Sequence, residues 1–388
     1  MPFERSKPSE ESDHFNFRRF DNTATGWLDL SQVYGSSRKV QERLRSGHGG
    51  LMAVQNIGGH QFPIFSQSAD VETDNESRHN FACGDPRCNE HLMLLSYHVM
   101  FVREHNRLAR AIHHEHPDLP DEEIFQQARL HNIHGYQKII YEEWLPALLG
   151  KKNMYEFMGE YRGYNAGAKP HIFDEFSAAA FRFGHAGVND FMRFLNSHGE
   201  PVPHVTKHTD EYGRLRTSLM LFRPEQVLQT GGDIITWVLN GALVDQHMPL
   251  DELVTDPLRN ELFMGVGRDG EPMDLVSLNI QRGRDHGLAP LDLIREFLHL
   301  EPYACGVLTR KHEISKCLLD FTRDEWVAEK LARVYYHFDD IDLFTAGLCE
   351  HRFGDGQLGQ VSATEDIIIC CHFRCTDTIC ACFRRGRH

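Results

Sequence analysis

The sequence predicts a mainly α protein, a single large helical domain with little β structure. Phe176, Ala180, Phe183, Gly187, Phe191 and Leu195 recur every three or four residues, the period of a helix that buries one face. Two more apolar rows, Leu92, Leu95, Val99, Val102 and Leu94, Phe101, Leu108, Ile112, run along a second stretch and predict a largely enclosed helix. Strand-like alternation is nearly absent. At 388 residues the chain can bury a large core, as one big domain or two ordinary ones.

Composition narrows the function classes. A net charge of −15 with a pI near 5.9 argues against nucleic acid or an anionic membrane surface as partner. No apolar run reaches the length of a transmembrane segment; the best, 234–244, is short and interrupted by Asn240. The opening residues from Met1 to Lys7 hold no apolar signal segment, which predicts either a cytosolic protein or a chain whose natural start has been lost.

In chain order, residues 1–20 are polar and charged and predict a surface arm. The stretch Thr25 to Gly35 places the oxygen-bearing side chains of Thr25, Asp29 and Ser31 at alternate positions, with carbonyls between. Calcium takes such ligands from a short loop, although a capped loop entering a helix reads the same way. Residues 46–80 are rich in glycine and polar residues and predict irregular surface.

Asp85 followed by Pro86 is a helix start, an N-cap oxygen and then a residue whose missing N–H costs nothing there. That helix is expected to run to about Ile112, with Arg87 and Glu90 three apart on its first turns, a spacing that usually means a structural ion pair. A second helix is expected from Glu122 to Leu149, with Asp121 as cap and Gly150 as stop. His113, His114 and His116 lie in the link between the two. No His-Glu-x-x-His spacing occurs, so the 25 histidines do not make a zinc hydrolase.

After a glycine-rich connection at 151–170 comes the helix expected from Phe176 to Leu195. On it Arg182 and His185 leave the same side, about 5–6 Å apart at Cβ. Ala178 to Ala180 and Gly184 leave room for something flat to approach. A neutral imidazole beside an arginine on such a surface suits iron ligated in a dry pocket near an anionic group; a hydrogen-bonded core histidine gives the same pattern. Residues 199–215 predict another polar connection. Helices are expected across 224–266, with starts at Asp251 and at Asp256-Pro257, around Asn279 and Arg282, which again stand three apart, and at 290–300, 314–336 and 338–346.

Ten cysteines are spread unevenly. Cys83 and Cys88 sit close together, Cys305, Cys317 and Cys349 are scattered in the manner of a secreted protein, and five more crowd 370–382; spacing does not give their connectivity. Asn75-Glu-Ser77 is a glycosylation sequon.

Taken together, Thr25–Gly35, the run Phe81 to Ala109 with Val102-Arg-Glu-His-Asn-Arg-Leu108, Phe181-Arg-Phe-Gly-His185 and Asn279-Ile-Gln-Arg-Gly-Arg-Asp-His-Gly287 resemble the animal-type haem peroxidases, peroxidasin-like and invertebrate members above all. The resemblance divides the chain into an arm (1–20), a peroxidase domain (21–360) and a divergent Cys-rich tail (361–388). It implies haem b, with His185 as proximal iron ligand, Asn279 accepting the other ring N–H, and Arg182 and Arg282 neutralising the propionates. It further implies Arg87 as the distal group that stabilises charge as the peroxide bond breaks, and Glu90 as the position of a possible ester to the haem. Thr25, Asp29 and Ser31, with the Trp27 carbonyl, match the family's calcium loop. His91 stands where some relatives bond the haem through methionine, so that linkage is not expected.

Two departures stand beside the match. The distal histidine that takes the peroxide proton, with flanking carboxylates for the second haem ester and for calcium, aligns upstream of Met1. Asp13-His14 lies too close to the calcium loop to replace it, and His91 and His98 are the next bases to consider. The tail from Ile367 to Cys382 has Cys and His but no paired C-x-x-C spacing, which favours a divergent terminus over a zinc knuckle. The expected function is a secreted-type peroxidase that oxidises small donors, halide ions or phenols, with hydrogen peroxide, consistent with a role in oxidative stress. The alternative is a non-catalytic homology domain acting in interaction or maturation. A fatty-acid dioxygenase activity fits the residues around His185 less well.

Overall fold

The computed structural model describes residues 3–10, 12, 18–73, 77, 79–158, 167, 171–229, 233–262, 273–308 and 316–364. The tail beyond 364, Asp13, His14 and Asn75 lie outside the described residues. The spine is α1 (Leu92–Glu115), flanked along its length by α2 (Asp121–Ile139) and, on another side, by α3 (Ile234–Val244). Leu92, Leu95, Val99 and Val102 are buried as expected, whereas the second row is only partly covered, Leu94 being 36% exposed.

The expected continuous helix from Asp85 is broken in two. Pro86–Asn89 forms a 3₁₀ turn capped by Asp85, and α1 starts afresh with His91 as N-cap, its Nδ1 accepting the Met93 N–H at 3.2 Å. The cause is local: a Cys83–Cys88 disulfide and two hydrogen bonds between Asn89 and the Phe81 backbone, at 2.9 and 3.0 Å, hold the turn away from a helical path. Asp121 is likewise the first residue of α2, with Pro120 as N-cap. Its carboxylate instead accepts from Gly50 N–H at 2.7 Å and pairs with Arg45 at 2.7 Å. Helix α2 widens to a π turn at Ile140–Trp144 and continues as Leu145–Leu149 until Gly150, at φ 86°, ends it as expected.

Two short antiparallel hairpins occupy places expected to be irregular, polar or helical. β1 (Val54–Ile57) pairs with β2 (His60–Pro63) around Gly58 and Gly59, both at positive φ, and buries Phe62. β3 (Phe191–Arg193) pairs with β4 (Arg214–Arg216). Ladders this short carry too few positions to show alternation. The long helix expected over 176–195 therefore does not form. Asp174–Ala178 is helical, Ala179 (φ −134°, ψ −72°) breaks it, and Ala180–His185 is a 3₁₀ segment leading towards β3. Tertiary packing wins over the apolar period: β3 lies so tightly on α3 that a Cβ at Gly241 would come within 1.9 Å of the Arg193 carbonyl oxygen.

Among the described residues of 224–266, Gln226–Gln229, α3 and Asp256–Arg259 are helical, and Asp251 starts no helix. α4 (Leu275–His286) begins at an Asp274 cap and ends on Gly287 at φ 70°. The 290–300 helix is present as Leu291–Phe297. The stretch 314–336 splits at Arg323 (φ 56°) into Lys316–Thr322 and Glu325–Val334, and 338–346 becomes a 3₁₀ turn followed by α5 (Leu343–Cys349). Helix α4 packs on α5 and on Asp174–Ala178, over a core that includes Phe321, Phe338 and Phe344. Cys305 and Cys317 are bonded, and Cys349 is a buried free thiol pushed up to about 12 by burial.

Candidate functional site

Two elements build the central cluster. The 3₁₀ segment Ala180–His185 carries Arg182 and His185 on successive turns, and α4 presents Asn279, completely buried, towards both. The Asn279 amide nitrogen lies 2.8 Å from His185 Nδ1, and its oxygen accepts from the Arg182 guanidinium at 2.5 Å. The expected partnership is present with its polarity reversed: Arg182 holds the amide oxygen, so the nitrogen faces the ring. Burial, and then the Arg182 charge, push the His185 pKa down to about 4, which keeps the ring neutral. Among the described residues no hydrogen bond reaches its Nε2, and a Cβ at the adjacent Gly184 would meet nothing within 4 Å. With the amide nitrogen donating to Nδ1, the proton of the neutral ring lies on Nε2; a metal could be ligated through Nε2 only with the amide turned so that its oxygen accepts the Nδ1 proton.

Arg282, one turn after Asn279, lies near enough to depress the Arg182 pKa, an effect second to burial. It is engaged by the N-terminal arm: Nη1 donates to Ser6 Oγ at 2.6 Å and to the Glu4 carbonyl at 3.1 Å, and the guanidinium lies over the Phe3 ring at 4.6 Å.

The Pro86–Asn89 turn carries the next of the expected site residues. Asp85 binds Arg87 in a fork at 2.9 and 2.7 Å, and the Arg87 side chain is 63% exposed. The Glu90 carbonyl accepts from Phe222 N–H at 2.8 Å, and Phe222 shares a core cluster with Ala186, the neighbour of His185. A cavity of about 330 Å³ is lined by His91 and Thr217 together with Gly187 and Asn189, residues just after Glu90 and His185, but Arg87, Glu90, Arg182, His185, Asn279 and Arg282 do not line it. His91 is neutral, its pKa pushed down to about 4 by burial, and its Nε2 is buried without a partner. His98, also held neutral chiefly by burial, senses the charges of Asp85 and Arg87.

In the Thr25–Ser31 loop, Thr25 Oγ1 accepts from Trp27 N–H at 3.1 Å and Asp29 Oδ1 from Ser31 N–H at 3.0 Å. Thr25 and Asp29 line one surface depression with Glu42 and Glu122. Among the described residues no three His, Cys, Asp or Glu side chains cluster as a metal site. The loop touches the Arg87 turn directly: Asp85 N–H donates to the Gln32 carbonyl at 3.2 Å, and a Cβ at Gly84 would lie 2.2 Å from both Gly35 N and Ser31 O.

Sequence reasoning passed over Asp285 and His286. The Asp285 side chain is 1% exposed and receives Arg5 Nε at 2.6 Å, Arg18 Nη1 at 2.5 Å and Ser6 N–H at 2.8 Å. His286 joins Ser6 Oγ at 2.7 Å to Asp174 at 2.8 Å, with Phe20 stacked on its ring at 3.7 Å. Both residues sit inside the Arg-Gly-Arg-Asp-His-Gly motif, and their partners, 112 to 280 positions away, were invisible to spacing.

Fold and site together describe a mainly helical protein with a neutral histidine joined through one buried amide to an arginine. The animal haem peroxidase profile matches residues 1–376. The chain is 31% identical over 347 residues to peroxinectin A of Dictyostelium discoideum, covering 87% of this chain and 58% of that protein. It is 33% identical to mouse thyroid peroxidase, covering 90% and 37%. The solved structure of peroxidase A from Dictyostelium discoideum superposes with a TM-score of 0.77 at 30% identity, covering 90% and 63%. A fatty acid alpha-dioxygenase from Oryza sativa shares the fold, at a TM-score of 0.67 and 19% identity. The chain belongs to the animal haem peroxidase family. It spans about 58% or less of the curated relatives it matches.

Proposed function

We propose that this chain is the haem-holding part of a peroxidase that uses hydrogen peroxide to oxidise small donors, halide ions or phenols. The observation that carries the reading is the His185–Asn279–Arg182 cluster, a neutral imidazole joined through one buried amide to a guanidinium. His185 would ligate the iron of haem b through Nε2, Asn279 would turn its oxygen to accept the Nδ1 proton and so orient the ring, and Arg182 and Arg282 would bind the propionates. When bound, the haem supplies the two-electron chemistry on peroxide. Arg87 would then bring positive charge to the breaking O–O bond, which requires it to leave Asp85. Glu90 would be the residue placed to esterify the porphyrin, and Thr25, Trp27, Asp29 and Ser31 would bind calcium as the family's loop does. Two disulfides, together with the relatives, support an oxidising, extracellular location.

The test is reconstitution of the full chain with haem. A coordinated absorbance band that His185→Ala abolishes supports the reading; a band unchanged in that variant overturns it. The Asp85 fork on Arg87 favours a second reading, a haem-binding homology domain with little turnover. Phenol oxidation by Asp85→Asn, which keeps a capping oxygen but loosens the fork, separates the two: a rise of about ten-fold, roughly 1.4 kcal/mol of barrier, supports a catalytic Arg87, and no rise supports the silent domain.

A further inference from the structure

Beside the cavity of about 330 Å³ stands a hydrogen-bond donor with nothing to bond. His91 Nδ1 accepts the Met93 N–H at 3.2 Å as the cap of α1, so the proton of the neutral ring lies on Nε2. That Nε2–H is buried and, among the described residues, meets no acceptor. A buried donor left unmade is costly, and a ligand that brings an acceptor recovers the loss. His91 lines the cavity, which has room for a single ring. Tyr97 and Phe191, 46% and 45% exposed, give it aromatic sides, and Met93 and Met192 add thioether chains that pack well on an aromatic edge. Arg193 and Asp245, which also line it, are bonded to each other at 3.2 and 3.1 Å, so a neutral ligand suits the cavity better than an ion.

We propose that this cavity binds a small neutral aromatic molecule carrying an oxygen acceptor, a phenol or its ether, with the ring among the methionine and aromatic side chains and the oxygen on His91 Nε2–H. Solvent does not reach Nε2, so the ligand turns a lining side chain aside to meet it; Met93 and Met192, unbranched and flexible, give way most readily. Gly187 and Asn189 carry the chain from His185 to the cavity, while His185, Asn279, Arg182 and Arg87 do not line it, so the site is separate from the cluster proposed to hold haem. The inference rests on the peroxidase reading for the ligand's role as an electron donor; its binding needs no haem.

The test is ligand-observed NMR titration of the full chain with p-cresol, p-methylanisole and toluene, the same ring with a hydroxyl, an ether oxygen or no oxygen. Both oxygen-bearing rings should bind about 2- to 10-fold more tightly than toluene, the worth of one neutral hydrogen bond. His91→Ser keeps a capping oxygen for α1 and removes the ring donor, so that preference should vanish. Ala242→Trp, at an exposed lining position, should weaken all three by filling the cavity. Equal binding of the three by wild type, a preference that survives His91→Ser, or binding untouched by Ala242→Trp would overturn the inference, and each variant decides by itself should the other not fold. If wild type binds none of the three, the inference falls, while the haem reading, tested through His185→Ala, stands.

Discussion

His185 and Arg182 meet through one buried amide: Asn279 faces the imidazole at 2.8 Å and accepts from the guanidinium at 2.5 Å. The ring that would hold the metal and the charge that would hold its anionic substituents are therefore joined, and moving either disturbs the other.

Asn279→Leu should weaken haem binding by about 10- to 100-fold, the usual cost of losing the partner that orients a metal-ligating histidine. Asn279→Asp should retain binding, because a carboxylate can accept from both the ring and Arg182. Absorbance titration with haem checks both, and unimpaired binding by the leucine variant would show that the amide does not orient the ring.

Acid should destabilise the apo chain through its buried histidines. His91 and His105 are pushed from 6.5 to about 4, each chiefly by burial. The unfolded chain binds the extra protons between those values, so their contribution is fully present above pH 6.5 and is lost as pH falls towards 4. The expected slope is about 1.4 kcal/mol per pH unit for each histidine in that window. Urea unfolding at pH 7 and pH 5 measures it, and His105→Gln should remove one histidine's share.

Glu350 and Arg295 form an ion pair at 2.6 Å with side chains 0% and 6% exposed. Glu350→Ala should cost about 3–5 kcal/mol by stranding the guanidinium, whereas replacing both residues with apolar side chains of similar size should cost far less. Denaturant midpoints of the single and double variants decide between a stranded charge and lost packing.

Calcium should raise the melting temperature only at high concentration, since Asp29 is the one carboxylate in the proposed ligand set and affinity follows ligand charge. Asp29→Ala should abolish the rise. A rise that survives the substitution would place the ion elsewhere.

Much of this was legible in the chain. The spine helix, the Gly150 stop and the Asp274-to-Gly287 span follow from apolar period and end signals. Arg182, His185 and Asn279 emerged from motif resemblance, and the fold brings those three together. The helix expected over 176–195 failed because its apolar residues serve two elements, a 3₁₀ turn and a strand wedged on α3. The Val102–Leu108 motif proves to be a fastener: His105 donates to the Gly50 carbonyl and accepts from the Tyr34 hydroxyl, while Asn106 bonds both ways with Met52. Such partners, 54 to 71 residues away, leave no trace in local spacing.

The contact of Gly84 with Ser31 and Gly35 has a consequence for how the protein can vary. Backbone rests on backbone there, with no side chain between to deform. Any larger residue at position 84 must separate the Thr25–Ser31 loop from the turn bearing Arg87, so the two segments are gauged against each other by the thickness of a peptide. A drift in either is passed on at full amplitude.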